Sequence, residues 1–309
     1  MRWLSADSEA RNLRQYCAEG YCMNENLPVG VFDSGIGGLT VVKEIMSLLP
    51  NEKIIYFGDT ARLPYGSKSK ETIIAYSRQI IRFLLGTDGS GPKVKAIVIA
   101  CNTASALALD EVAKETPVPV IGVVKPGARA AVQTTKNGKI GVIATEGTIR
   151  SDIYSNIIRT TNPDMEVYQK ACPLFVPLVE EGWVDTDVAR QVAEIYLAEL
   201  KQVGIDSLVL GCTHYPLIRK VVRKVMGDSV TLVNPAYETA RSLKEVLEKN
   251  GICNPGPKAV QKDHAFYVSD GEEKFRQFAN SILPDVELST ADVNLVDVGP
   301  DCARVRTQK

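Results

Sequence analysis

Two stretches of this sequence share one pattern: Val94-Lys95-Ala96-Ile97-Val98-Ile99-Ala100-Cys101-Asn102-Thr103 and Asp206-Ser207-Leu208-Val209-Leu210-Gly211-Cys212-Thr213-His214. Both are apolar with little alternation, which is typical of parallel strands buried on both faces. Small polar residues and helix-like sequence follow each run. Cys101 and Cys212 are therefore predicted at the carboxyl ends of strands, where open α/β sheets bind ligands. The amino end of a following helix would favour a thiolate there.

Strand-like and helix-like segments alternate along the rest of the chain. This alternation favours βαβ units and a parallel sheet. We therefore expect an α/β protein with two similar βαβ halves, each contributing one strand that ends in a cysteine. No strong short sequence repeat relates the halves, so any symmetry between them is expected in the structure only.

The composition limits the classes of function. The chain has 309 residues, of which 45% are hydrophobic, and it carries 36 basic against 37 acidic residues. The sequence has no long basic run, which argues against nucleic acid or a membrane surface as a partner. No apolar run approaches the roughly 20 residues of a membrane span. Seven cysteines without framework spacing indicate free thiols in a reducing cytoplasm. Two histidines and no C-x-x-C pair argue against a metal site.

A glycine-rich turn follows the first predicted strand, and its sequence is Asp33-Ser34-Gly35-Ile36-Gly37-Gly38. Thr40 leaves the dinucleotide-binding fingerprint incomplete, so a phosphate cradle is not expected. The glycines would instead let backbone N–H groups approach an anion such as a carboxylate. Asp33 is then either an acid/base group or the N-cap of the next helix, and the sequence leaves both open.

Three further positions have a structural and a functional interpretation. The segment Pro64-Tyr65-Gly66 is first of all a turn, although Tyr65 and Gly66 could line a pocket at a strand end. Glu180 could reach the cleft, although two adjacent glutamates before a glycine usually form a solvated helix end. Cys172 lies in apolar company, which is typical of an inert buried thiol.

Three chemistries could use the two cysteines. A Cys-His hydrolase would pair Cys212 with His214, and a redox dithiol would need both sulfurs in contact. The third inverts a stereocentre, which needs a base on one face of a carbon and a proton donor on the other. A redox dithiol usually has the C-x-x-C spacing that this chain lacks, and a single-nucleophile mechanism leaves the second cysteine unexplained, whereas two cysteines from opposite walls meet the demand of stereoinversion. Asp33 and His214 are candidates for tuning the pKa values of the thiols. Candidate donors to the substrate are Ser34, Asn102, Thr103, Thr213 and the Tyr65-Gly66 turn.

Four motifs in order resemble those of the cofactor-independent glutamate racemases of the aspartate/glutamate racemase family. They are the Asp33–Gly38 turn, Pro64-Tyr65-Gly66, Cys101-Asn102-Thr103 and Gly211-Cys212-Thr213-His214-Tyr215-Pro216. The resemblance runs from about residue 27 to about residue 283. It implies two α/β domains facing each other across an active-site cleft, no cofactor and D-glutamate supply for peptidoglycan. It also implies Cys101 and Cys212 as the acid/base pair, assisted by Asp33, His214 and Glu180. The substrate would be held by Asp33, Ser34, Tyr65, Gly66, Asn102, Thr103, Thr213 and His214.

The resemblance also suggests how the chain divides. The first domain is expected to comprise residues 27–125 and 236–285, and the second residues 126–235. Residues 1–26 are expected to form a weakly ordered extension, and residues 286–309 a loose tail.

Two alternatives remain at this stage. Related aspartate racemases share the fold and both thiols, but usually have Glu where this chain has His214, so aspartate is the second candidate substrate. The resemblance also implies a second alternative, a binding or regulatory protein on the same scaffold, because some members of that family bind DNA gyrase. Residues 1–26 are the segment to test for such an interaction. A homodimer is the expected assembly.

Overall fold

The computed structural model describes residues 24–87, 89, 91–283, 285–299 and 303–306. The strands are β1 (Val29–Asp33), β2 (Ile54–Gly58), β3 (Ala96–Ile99), β4 (Val120–Gly122), β5 (Lys139–Ala144), β6 (Glu166–Ala171), β7 (Ser207–Gly211), β8 (Thr231–Val233), β9 (Ala265–Val268), β10 (Val293–Val298) and β11 (Ala303–Val305). The α-helices are α1 (Leu39–Leu48), α2 (Lys70–Leu85), α3 (Asn102–Leu107), α4 (Leu109–Glu115), α5 (Val124–Thr134), α6 (Glu146–Arg150), α7 (Ile153–Thr161), α8 (Phe175–Glu180), α9 (Asp187–Val203), α10 (Arg219–Met226), α11 (Pro235–Lys249) and α12 (Glu272–Ile282).

Two largely parallel sheets organise these elements. The larger sheet has the order β11-β10-β9-β2-β1-β3-β4, and the smaller has the order β6-β5-β7-β8. Every pair is parallel except β10 with β11. Asp33 pairs with Gly58, and Phe32 pairs with Ile99. The carboxyl ends of β1, β2 and β3 therefore meet at one edge. The prediction of an α/β fold with two parallel sheets is confirmed.

Each sheet is buried on both faces, as the lack of alternation predicts. In β1, Val31 packs into one apolar cluster and Phe32 into another. In β7, Leu208 and Val209 divide between two clusters in the same way. All four side chains are fully buried, and burial of such a side chain stabilises the folded state by about 1.5–3 kcal/mol. The cysteine turns are therefore attached to rigid strands.

The carboxyl-terminal segment differs from its prediction. Residues 293–298 form β10, which pairs with β9 in the larger sheet, so the loose tail expected over 286–309 is wrong for this part. The physical reason is burial, because Val293 and Val296 are both fully enclosed. Helix α11 packs against both α1 and α5, helices of the two halves. The domain boundaries themselves stay predictions.

Two helical segments are interrupted. One breaks at Ala108, between α3 and α4, and the other breaks between α6 and α7, where Asp152 has a φ of 53°. Residues 1–23, most of the expected extension, lie outside the described residues. None of the described helices has the length and apolar character needed to cross a bilayer.

Candidate active site between the two sheets

Cys101 follows β3 and occupies the N-cap position of α3. Its thiol, which is 5% exposed, donates to the hydroxyl of Ser34 with an Sγ–Oγ distance of 3.5 Å. Asp33, at the end of β1, is fully buried beside this pair. One carboxylate oxygen of Asp33 accepts the N–H groups of Gly35 and Gly38 at 3.1 and 3.0 Å. Its other oxygen, Oδ1, is buried without a hydrogen-bond partner in the described residues.

Burial controls the charge state on this side of the cleft. Burial, with smaller contributions from the negative charges of Asp33 and Cys212, raises the pKa of the Cys101 thiol to about 12. The backbone N–H of Ala104, in the first turn of α3, lowers the pKa of this thiol as expected, but burial outweighs that effect. Burial also raises the pKa of Asp33, while the charge of His214 and the backbone N–H groups counteract this rise.

Cys212 follows β7 and lies beside His214. The Sγ of Cys212 is 3.8 Å from Nδ1 of His214, and both residues are buried. On the other side of the ring, Nε2 lies 3.3 Å from Oε1 of Glu180, an ion pair whose geometry falls short of a hydrogen bond. Glu180 ends α8 and also contacts Nζ of Lys274 in α12 at 3.4 Å. A chain of contacts thus runs from Cys212 to the opposite half of the molecule.

Opposing effects set the charge of His214. Burial lowers the pKa of the imidazole, but its interactions with Cys212 and Glu180 outweigh burial and raise the pKa to about 10. The interaction with His214, and to a lesser degree with Lys274, holds the pKa of Glu180 below its usual value. These shifts favour a protonated thiol at Cys101 and an imidazolium at His214.

The two halves touch at Gly37 and at Thr40. A Cβ atom at Gly37 would lie 2.4 Å from Oγ1 of Thr213 and 2.5 Å from Nδ1 of His214. Real Cβ atoms do not approach that closely, so the glycine is needed for the halves to meet. The hydroxyl of Thr40 donates to the carbonyl of Thr213 at 3.1 Å. The turn after β1 is thus in contact with the turn that carries Cys212.

Three threonine hydroxyls form a second contact across the cleft. Oγ1 of Thr103 lies 2.9 Å from that of Thr145 and 3.5 Å from that of Thr148. Gly66 faces the same place, because its Cβ position would be 3.0 Å from the Cβ of Thr145. Hydroxyl and backbone N–H donors that converge in this way can hold a carboxylate. Thr145 and Thr148 are not among the predicted site residues, although Thr145 directly follows β5.

The remaining predicted positions have partners of their own. The Asn102 side chain accepts a hydrogen bond from the hydroxyl of Tyr154 at 2.7 Å. The hydroxyl of Tyr65 donates to Asp59, a buried carboxylate at the end of β2 that also binds Arg62. The Tyr65 hydroxyl is thus engaged within its own half. Asp59, Tyr154 and Lys274 are absent from the sequence prediction. Tyr154 and Lys274 act through residues distant in sequence, Asn102 and Glu180.

Except for Glu180, which ends α8, the predicted site residues lie at or after the carboxyl ends of β1, β2, β3 and β7. The four described cysteines, Cys101, Cys172, Cys212 and Cys253, are free, while Cys17, Cys22 and Cys302 lie outside the described residues. The described residues contain no group of three or more His, Cys, Asp and Glu side chains suited to a metal ion. The fold and site together define a class of α/β proteins in which polar side chains from two parallel sheets meet at the strand ends.

Comparison with known proteins gives the family. The family described as Asp/Glu/Hydantoin racemase matches residues 36–243. A glutamate racemase of Geobacter metallireducens is 50% identical over 255 residues, which cover 82% of this chain and 92% of that protein.

Solved structures agree. A glutamate racemase isoform of Bacillus anthracis is similar with a TM-score of 0.81 and 39% identity, covering 88% of this chain and 97% of that one. A Francisella tularensis glutamate racemase in complex with D-glutamate is similar with a TM-score of 0.79 and 41% identity, covering 90% of this chain and 99% of that one. The chain belongs to this racemase family, among the glutamate racemases, and is thus an amino-acid racemase, an isomerase.

Proposed function

We propose that this protein interconverts L-glutamate and D-glutamate, without a cofactor, by proton transfer between Cys101 and Cys212. One sulfur, as a thiolate, takes the proton from Cα, and the electron pair of the broken C–H bond stays on carbon. The other sulfur, as a thiol, donates its proton to the opposite face. A new Cα–H bond forms with inverted configuration, and the two sulfurs have exchanged protonation states.

The observation that carries this proposal is the pairing of two buried thiols at strand ends of opposite sheets. Each thiol has its own ionisable neighbour, Asp33 beside Cys101 and His214 beside Cys212. A Cys-His hydrolase would use Cys212 and His214 and leave Cys101 without a role. A two-base mechanism uses both, and each well-placed acid or base accelerates proton transfer about 10²–10⁴-fold.

The charges on the two sides differ, which favours one resting arrangement. The raised pKa of Cys101 keeps its proton in place at neutral pH, so Cys101 begins as the donor. The His214 cation, 3.8 Å from the other sulfur, is placed to balance negative charge on Cys212. The substrate enantiomer whose Cα–H faces Cys212 is then the one that reacts directly with the resting site.

The two carboxylates of glutamate would be bound by donors from both halves. The hydroxyls of Thr103, Thr145 and Thr148 with the backbone N–H of Gly66 form one group of donors, and the side chain of Asn102 forms another. Asp33, Ser34, Tyr65, Thr213 and His214 keep their predicted contribution to substrate binding. The structure of the Francisella tularensis racemase with D-glutamate supports glutamate as the ligand class.

The cellular role follows from the product. D-glutamate would supply peptidoglycan synthesis, and free catalytic thiols suit a reducing cytoplasm. A homodimer, and an interaction with DNA gyrase through residues 1–26, stay predictions.

Circular dichroism tests the proposal directly. L-glutamate and, separately, L-aspartate are incubated with purified protein without added pyridoxal phosphate. We expect optical activity to be lost with glutamate alone, and this loss to be abolished in Cys101→Ala and in Cys212→Ala. Cys172→Ala is the matched control, because Cys172 is equally buried at the end of β6 and should retain wild-type racemisation. Racemisation that survives the loss of Cys101 or Cys212 would refute the two-thiol assignment.

A further inference from the structure

Tyr154 contacts both of the turns that carry the cysteines. It lies near the start of α7 and is fully buried. Its hydroxyl donates to Oδ1 of Asn102, the residue immediately after Cys101. Its ring atom Cε2 would lie 3.3 Å from a Cβ atom added at Gly211, the residue immediately before Cys212. One side chain of the second half thus connects the ends of β3 and β7.

The hydroxyl determines which way the amide of Asn102 faces. A phenol in this position needs an acceptor, because burial raises the pKa of Tyr154 and keeps its proton on the oxygen. With Oδ1 accepting, the NH₂ group of the amide must face the other way. In the described part of the chain the Asn102 side chain has no hydrogen bond other than that to Tyr154, so its NH₂ donors remain for a ligand. A flipped amide would place donor against donor inside the protein, which is costly.

The ring constrains the second cysteine turn. Gly211 is the last residue of β7, and a side chain there would also meet the carbonyl oxygen of Ile143 at 2.8 Å. The Ile143 carbonyl and the Tyr154 ring therefore both border the space that a side chain at Gly211 would need. Displacement of the ring would let the turn that carries Cys212 shift relative to the turn that carries Cys101.

We propose that Tyr154 is a positioning residue for the racemisation. Its hydroxyl holds the NH₂ group of Asn102 toward the substrate carboxylate, and its ring holds the turn of Cys212 in register with the turn of Cys101. This inference rests on the proposed function and adds to it a residue that need not touch the substrate. The two parts of the side chain have separable effects, since the hydroxyl acts on binding and the ring acts on the proton-transfer geometry.

Tyr154→Phe removes the hydroxyl and keeps the ring. We expect KM for both enantiomers to rise about tenfold, as is typical when one buried hydrogen bond is lost, with kcat within about threefold of wild type. Tyr215→Phe is the matched control, since Tyr215 is equally buried and donates to the carbonyl of Cys172 at 2.8 Å. It should lower the melting temperature to a similar extent and leave KM unchanged. An equal rise of KM in both variants would reduce Tyr154 to a structural residue and overturn the proposal.

A double-mutant cycle with Asn102→Ala separates positioning from general destabilisation. In the Asn102→Ala background the Tyr154 hydroxyl has no partner, so adding Tyr154→Phe should change KM less than twofold and should raise the melting temperature. A further tenfold rise of KM in the double variant would show that the hydroxyl acts independently of Asn102, against the proposal. Even if Tyr154→Phe alone folds poorly, the melting temperature of the double variant compared with that of Asn102→Ala shows whether the hydroxyl acts through Asn102.

Calorimetric binding of D-glutamate separates this inference from the proposed function. It is measured for the four proteins of the cycle: the wild type, Tyr154→Phe, Asn102→Ala and the double variant. If the wild type binds glutamate but does not racemise it, the proposed function fails, while tenfold weaker binding in Tyr154→Phe still supports the positioning role. If the wild type racemises glutamate and Tyr154→Phe has wild-type KM and affinity, the positioning role alone is overturned. Absence of both binding and racemisation in the wild type overturns both.

Discussion

Replacement of Asp33 by Asn distinguishes the two roles that the sequence leaves open for this residue. The carboxylate is fully buried and accepts two backbone N–H groups through Oδ2, while Oδ1 has no partner in the described residues. It thus satisfies the turn before α1, yet Gly38 and not Asp33 is the N-cap residue of that helix. Asn has the same shape and can still accept from the turn, so the change removes the charge and the ability to carry a proton.

The expected magnitude differs sharply between the two roles. If Asp33 serves only the turn, the neutral amide keeps two weaker hydrogen bonds, and stability changes by about 1 kcal/mol with little effect on rate. If Asp33 moves a proton or tunes Cys101, kcat should fall about 10²–10⁴-fold, which corresponds to about 3–5 kcal/mol. We expect the second outcome, because an oxygen without a partner in a buried site is costly unless a ligand uses it.

Asp33 also affects the pH dependence of stability. Its pKa is raised in the folded protein, so its contribution to stability is fully present below the unfolded value and is lost as pH rises through the folded value. Asp33→Asn should therefore reduce the loss of stability as pH rises above about 4. Urea unfolding at several pH values measures this difference.

The assay is the racemisation rate by circular dichroism, with urea unfolding as the measure of fold. Asp206→Asn is the matched control, because Asp206 also accepts two backbone N–H groups, those of Lys136 and Asn137 at 2.7 and 2.9 Å, at the opposite end of β7. That variant should change stability and leave kcat unaltered. If kcat of Asp33→Asn decreases by less than about threefold, the acid/base role is refuted and Asp33 serves only the turn.

Two further changes test the other side of the cleft. His214→Ala removes the cation beside Cys212, so kcat should fall unequally for L- and D-glutamate when the two directions are assayed separately. The kcat/KM values of the two enantiomers must stay equal to each other, because the equilibrium constant of the racemisation is one. Equal losses of kcat in both directions would limit His214 to substrate binding. Glu180→Gln removes the charge 3.3 Å from the imidazole and should lower the pKa of His214 from about 10. The alkaline limb of the kcat profile should then move down by at least about one pH unit, whereas Glu181→Gln, a change at an exposed neighbour, should leave it in place.

Local patterns suffice for the parallel α/β architecture and for the position of both cysteines. A strand buried on both faces must be apolar without alternation, and the chain must turn where that run ends, so Cys101 and Cys212 are placed by a few neighbouring residues. The segment from Val293 to Val298 shows the limit of such patterns. Its strand character is visible, but its burial depends on the exposed edge of β9, which no local pattern reveals.

The partners of the site residues depend on contacts between distant segments. Tyr154 meets Asn102 across the cleft, and Lys274 meets Glu180 across the same boundary. No spacing rule relates these positions, because two sheets from different parts of the chain bring them together. The pKa of Cys101 likewise depends on contacts between distant segments. Its sequence neighbours predict a stabilised thiolate. Burial between the halves raises the pKa and favours the thiol instead, because desolvation depends on all the atoms packed around the sulfur.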